Sequence, residues 1–104
     1  MLNVEETQAY AFWFNKLRDA KAKALVVSRI DRIAFYGSLI GDYKSVGDGV
    51  IELRFDFGPG YRVYVSLEKG RILLLLIGGN KTRQASDIEK AQKLLKQWRI
   101  DHGS

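Results

Sequence analysis

The sequence predicts an α+β fold: a small antiparallel sheet of about four to five strands packed against two N-terminal helices, with a further helix at the C-terminus. Three observations predict it. Apolar residues recur at helical spacing up to Phe35, the period switches to two from Val50, and helical spacing returns after Ser86. With 104 residues and 46% hydrophobic composition the chain can build one modest core, so a single domain over 1–104 is expected.

Leu2 to Glu6 reads as a short first strand. Thr7 then caps a helix predicted from Gln8 to Leu17, with Ala9, Trp13 and Leu17 at four-residue spacing. Asp19 caps a second helix predicted to reach about Phe35. Its apolar stripe is Ala22, Leu25, Val26, Ile30 and Ile33, with Lys21, Lys23, Arg29 and Arg32 outside it. Four glycines between Tyr36 and Gly49 break the period and predict a loop, with one short edge strand near Tyr43 to Val46.

From Val50, Ile51, Leu53 and Phe55 point one way, and Glu52, Arg54 and Asp56 the other. Gly58-Pro59-Gly60 is a turn, and alternation resumes from Tyr61 to Leu67 with Val63 and Val65 inward. A two-residue loop would mix core and solvent faces. A three-residue loop, Gly58 to Gly60, instead pairs Phe55 with Val63 and Leu53 with Val65 inside, and sets Arg54 opposite Tyr64 and Asp56 opposite Arg62 outside. In that register Arg54, Arg62 and Tyr64 converge, since opposed residues lie ~5 Å apart and diagonal ones ~7 Å. The same pattern also describes an ordinary solvated sheet face on which Asp56 neutralises Arg62.

Ile72 to Ile77 is apolar without alternation, as a central strand covered on both faces would be. Gly78-Gly79-Asn80 ends it. Ser86 with Glu89 matches a capping box, with Thr82 as a rival cap, and Ile88, Ala91, Leu94, Leu95 and Trp98 form the apolar face of the last helix. From His102 the chain reads as a frayed tail.

Seventeen Lys and Arg against twelve Asp and Glu give a formal charge of +5, which favours a polyanionic or acidic partner. The absence of cysteine excludes disulfides and thiolate zinc ligation. The N-terminus lacks a basic segment followed by an apolar core, and the longest apolar run, Ile72 to Ile77, is far short of the ~20 residues that span a bilayer. A cytoplasmic protein without membrane association or cofactor is expected.

His102 is the only histidine, which excludes a two-histidine ribonuclease mechanism, and no His/Cys or carboxylate cluster offers a metal site. GGNKT lacks the Walker spacing, yet it places Lys81 and Arg83 at a strand end close to a helix N-terminus, where anions are favoured. Lys44 adds a cation from the glycine-rich loop. Tyr61 and Tyr64 interleave with arginines, which suits stacking of unpaired bases.

Taken together, GDGVIELRFDFGPGYRVYV, LLLLIGGNKTRQ and DIEKAQKL resemble the RelE/ParE superfamily of type II toxin-antitoxin toxins, in particular its HigB-like, phage-derived branch of addiction-module killer proteins. The resemblance covers nearly the whole chain. It implies the RelE-like fold and a toxin that cuts messenger RNA, usually on the translating ribosome, and is held inactive by a cognate antitoxin of helix-turn-helix type. The implied chemistry is metal-independent: the ribose 2′-OH attacks the adjacent phosphate and leaves a cyclic 2′,3′-phosphate. On this basis Arg54 and Arg62 clamp the phosphate, Lys81 is the candidate base, and Tyr64 donates to the leaving oxygen or stacks a base. Lys44, Tyr61, Arg83 and Gln84 position RNA. Two other readings stay open: the gyrase inhibition of ParE-like relatives, and a catalytically inactive RNA-binding module.

Overall fold

The computed structural model describes residues Met1–Gly103. Ser104, the end of the expected tail, lies outside the described residues. In chain order the elements are β1 (Asn3–Glu6), α1 (Gln8–Lys16), α2 (Ala20–Tyr36), β2 (Tyr43–Ser45), β3 (Ile51–Arg54), β4 (Tyr61–Glu68), β5 (Ile72–Asn80), one 3-10 turn (Lys81–Arg83) and α3 (Gln84–Asp101). No helix among the described residues is long and apolar enough to cross a membrane.

Local chemistry starts and stops the helices. The Thr7 hydroxyl oxygen accepts from Tyr10 N at 3.0 Å and donates to Leu76 O at 2.6 Å, so one side chain caps α1 and fastens it to β5. Asp19 caps α2 by accepting from Ala22 N at 3.1 Å, and Gly37 ends it in the left-handed region at φ 73°. The C-terminal helix departs from expectation, since neither Ser86 nor Thr82 caps it. Asn80 accepts from Thr82 N at 2.9 Å and caps the 3-10 turn that runs straight into α3, while Ser86 Oγ donates to Arg83 O. β5 runs on to Asn80, beyond the apolar stretch, so helical winding begins at once and the last strand residue supplies the cap.

The strand order is β1-β5-β4-β3-β2, and this corrects the expected fold class. The sheet is mixed, not antiparallel: β2 to β5 form an antiparallel meander, but β1 runs parallel to β5, with Asn3 opposite Ile72 and Glu6 opposite Leu75. The two helices that follow β1 carry the chain to the far edge of the sheet, and the meander returns it with β5 alongside β1 in the same sense. The helices are also split around the sheet. Tyr10 of α1 and Val26, Ile30 and Ile33 of α2 pack on Leu53, Val63, Val65, Leu73 and Leu75, whereas Ala91, Leu95 and Trp98 of α3 pack on Tyr64, Leu74 and Leu76. The face expected to be solvated is therefore roofed by α3.

Three polar contacts hold this arrangement. Arg99 of α3 donates from Nε and Nη2 to the two carboxylate oxygens of Glu68 at 2.7 and 2.9 Å, and Ser66 Oγ donates to the same group. His102 is not frayed: its ring stacks on Trp98 with centroids 4.0 Å apart, and its Nδ1 lies 2.8 Å from Trp98 O. Arg29, expected outside the apolar stripe, is 6% exposed and donates to the carbonyls of Ile40, Asp42 and Arg54. Its guanidinium lies 4.9 Å from the centre of the Phe55 ring, and a Cβ on Gly41 would come within 2.9 Å of it. Arg29 thus pins the loop before β2 to the end of β3, which is where Arg54 stands.

Arg29→Met should lower stability by about 3 kcal/mol, because three carbonyls lose a charged donor in a buried place. A urea midpoint within the error of the native chain, at unchanged slope, would remove Arg29 from this role.

Candidate functional site

The hairpin of β3 and β4 builds the site, and its register corrects the expected one. Leu53 lies opposite Val63, Glu52 opposite Tyr64 and Arg54 opposite Arg62. Phe55 N donates to Tyr61 O at 3.0 Å, so the loop takes up 56–60. Within it Phe57 N donates to Phe55 O and Gly60 N to Phe57 O, with Gly58 at φ 58° and Gly60 at φ 76°. Both glycines use backbone that L side chains avoid, and the turn needs Asp56 and Phe57 as well as Gly-Pro-Gly. A shift of two residues keeps every side chain on its expected face and changes every partner. Asp56 consequently leaves Arg62 and stands in the loop.

The new register sets two arginines directly against each other, which is unfavourable unless a negative charge intervenes. Glu52 supplies it. Its side chain is fully buried, and Oε1 accepts from Arg54 Nε at 2.8 Å and lies 3.9 Å from Arg62 Nε. Oε2 accepts from Tyr64 OH at 3.0 Å and from Gln84 Nε2 at 2.7 Å, the latter reaching over from α3. Burial alone would push this carboxyl up. The bonds from Arg54, Gln84 and Tyr64 together outweigh it and hold the group below its ordinary value. Tyr64, buried and donating to Glu52, has its hydroxyl pushed well above the ordinary phenol range, first by burial and then by that bond.

Arg62 is less well served. Nη1 donates to Gly60 O at 3.3 Å and Tyr61 O at 3.2 Å, but Nε is buried and has no hydrogen-bond partner among the described residues. The Arg62 side chain lines a cavity of about 210 Å³ together with Asp42, Arg54, Phe55, Asp56, Gly60 and Lys81. Lys81 N donates to Gly60 O at 3.0 Å, and a Cβ on Gly60 would lie 3.2 Å from Lys81 Cβ and 3.6 Å from Arg62 Nη1. The bare turn glycine is what lets the start of the 3-10 turn close on the hairpin.

The structure thus brings Arg54, Arg62 and Lys81 to one cavity. Gln84 reaches the same cluster through Glu52. Tyr64 lies beneath it, out of reach of any stacking partner, and Tyr61 is half-buried against the core. Lys44 is exposed on β2 opposite Glu52, and Arg83 lines a different cleft with Asp87. The sequence reading missed Glu52 as a hub, because alternation shows which face it takes and nothing of the helix above it. Among the described residues no three His, Cys, Asp or Glu side chains are grouped to hold a metal ion.

No family model matches the chain. An uncharacterized protein of Haemophilus influenzae is 44% identical over 93 residues, which cover 89% of this chain and 92% of that protein. The chain belongs to the family of that protein.

Glu52→Ala should cost about 3 kcal/mol, since it leaves opposed guanidinium groups and a buried hydroxyl without their acceptor. Glu52→Gln isolates the charge. Because the folded carboxyl sits below its ordinary 4.5, its contribution is complete above that pH and is lost as the pH falls through the lower folded value. The stability advantage of the native chain over Glu52→Gln should therefore shrink on acidification from about pH 6 to 3. A constant difference in urea midpoint over that range would refute it.

Proposed function

We propose that this protein is the toxin of a type II toxin-antitoxin pair and cuts messenger RNA without a metal ion. The observation that carries the reading is Arg62, whose buried Nε lacks a hydrogen-bond partner among the described residues and whose side chain lines a small cavity with Arg54 and Lys81. An unsatisfied buried donor costs free energy, and a cavity whose lining sets Arg54, Arg62 and Lys81 against Asp42 and Asp56 keeps an excess of positive charge that favours an anionic acceptor. A phosphodiester supplies two non-bridging oxygens for that purpose. The RelE/ParE resemblance supports RNA as the source of such a phosphate, and the net charge of +5 suits the rest of the strand.

In the proposed step the ribose 2′-oxygen forms a bond to phosphorus while the bond from phosphorus to the 5′-oxygen breaks. The 2′ proton passes to a base, for which Lys81 at the rim is the candidate, and the leaving 5′-oxygen takes up a proton to become a hydroxyl. Arg54 and Arg62 stabilise the added charge on the phosphate oxygens, a contribution of ~3 to 4 kcal/mol per donor at comparable sites. Glu52 positions them. It fixes Arg54 through Nε and leaves the terminal nitrogens of that guanidinium for the phosphate. Tyr64 acts beneath, holding Glu52 in place. Its proton is committed to that carboxylate, so the leaving-group role passes to solvent or to a cation at the rim. An antitoxin that silences the toxin would cover this cavity with an acidic segment. The cytoplasm, where messenger RNA and ribosomes are found, is the compartment this reading requires.

With purified protein and RNA, or with ribosomes programmed by a defined message, the native chain should yield fragments ending in a cyclic 2′,3′-phosphate. Arg62→Ala should slow cleavage by roughly a hundredfold or more. Growth arrest with intact transcripts, accompanied by inhibited DNA supercoiling, would overturn the nuclease reading in favour of gyrase poisoning.

A further inference from the structure

A second cleft opens on the other edge of β5, and its construction is specific. Because Phe55 N bonds to Tyr61 O, the backbone groups of Tyr61 face β3, and alternation turns those of Arg62 toward β5. Gly79, the partner of Arg62, therefore bonds toward β4, and its neighbours Gly78 and Asn80 turn their N–H and C=O to the opposite edge. β1 does not reach them, since its last pair is Glu6 with Leu75 and Thr7 adds bonds only to the carbonyls of Leu75 and Leu76. The cleft there measures about 320 Å³ and lies between Phe12 and Trp13 of α1 and Arg83, Asp87 and Lys90.

The two glycines make room for its walls. A Cβ on Gly78 would fall 2.3 Å from the Trp13 ring, and one on Gly79 would fall 2.0 Å from Asp87 Oδ2. The indole and the carboxylate thus press on opposite faces of the same bare strand. Asp87 is 8% exposed, and no hydrogen bond among the described residues reaches its oxygens. Burial raises its carboxyl from the ordinary range, with Arg83 and Lys90 opposing.

We propose that this cleft binds a guanine base, with Asp87 accepting from the N1–H and the 2-amino group, the Trp13 and Phe12 rings flanking the purine, and Arg83 and Lys90 meeting the attached phosphate. Guanine is the base that offers two adjacent donors on its Watson–Crick edge. Adenine and cytosine set a ring acceptor beside their amino group, and uracil flanks its single N–H with carbonyls, so each would turn a lone pair on a carboxylate oxygen. The proposal deepens the RNA-cleaving reading, on which its place in an RNA strand rests. Asn80 and Lys81 lead from this cleft directly to the cavity of Arg54 and Arg62, so a base held here is near a phosphate held there.

Calorimetric titration of the full chain with the 5′-monophosphates of guanosine, adenosine, cytidine and uridine tests it without requiring cleavage. The guanosine nucleotide should bind about tenfold or more tighter than the others. Asp87→Asn should remove that preference, and Lys90→Ala should weaken all four alike while keeping it. Equal affinities, no binding, or a preference that survives in Asp87→Asn would overturn the proposal. The comparison among nucleotides on the native chain decides even where a variant does not fold. A chain that prefers the guanosine nucleotide but leaves RNA uncut sinks the nuclease reading alone. A chain that cuts RNA yet binds the four nucleotides equally sinks this one alone.

Discussion

The buried carboxylate of Glu52 is the constraint on which the candidate site depends. The hairpin register brings Arg54 and Arg62 into opposed positions on adjacent strands, where like charges repel each other. A carboxylate between them turns the repulsion into a cluster, but only if its own desolvation is offset. Donors from three elements do this: Arg54 on β3, Tyr64 on β4 and Gln84 on α3. Removing any of them loosens the others, because each occupies a lone pair that would otherwise face apolar surroundings.

α3 lies over the Glu52 carboxylate, and its own seating is polar as well as apolar. The Glu68–Arg99 pair with Ser66 fixes its C-terminal half to β4, and the close approach of Asp87 to Gly79 fixes its N-terminal half to β5. Gln84 lies at the very start of the helix, immediately after the 3-10 turn that carries Lys81. One short connection therefore delivers Lys81 to the cavity rim, Arg83 to the second cleft and Gln84 to the carboxylate. A displacement of that turn would be felt at all three places.

Much of the frame is legible in the sequence, because helical and twofold periods report which residues share a face and Thr7 and Asp19 mark where helices begin. Other features are not, for definite reasons. A period of two is unchanged when one strand slides by two residues, so alternation places Arg54, Arg62 and Tyr64 on one face yet cannot decide whether Arg54 meets Tyr64 or Arg62. The direction of β1 depends on where two helices set the chain down, and no local pattern in Asn3–Glu6 records it. Glu52 and Arg29 read as solvated residues because a polar residue on an alternating strand or beside a helical stripe carries no mark of what will cover it. Gly79 carried a partial signal. A glycine inside a strand often means that something approaches its backbone closely, and here that something is the Asp87 carboxylate.

The same cluster that organises the site also leaves it incomplete. Glu52 has two oxygens, and their nearest contacts are spent on Arg54, Tyr64 and Gln84, so Arg62 Nε is left at 3.9 Å, too far for a hydrogen bond. A protein optimised for stability alone would bring another acceptor to that nitrogen or replace the arginine with an apolar side chain, since a buried donor without a partner is destabilising. Keeping Arg62 there makes sense when the acceptor comes from outside. The carboxylate neutralises enough charge for the arginines to coexist in the free protein and too little to satisfy both, and that shortfall is what the proposed phosphate ligand would fill.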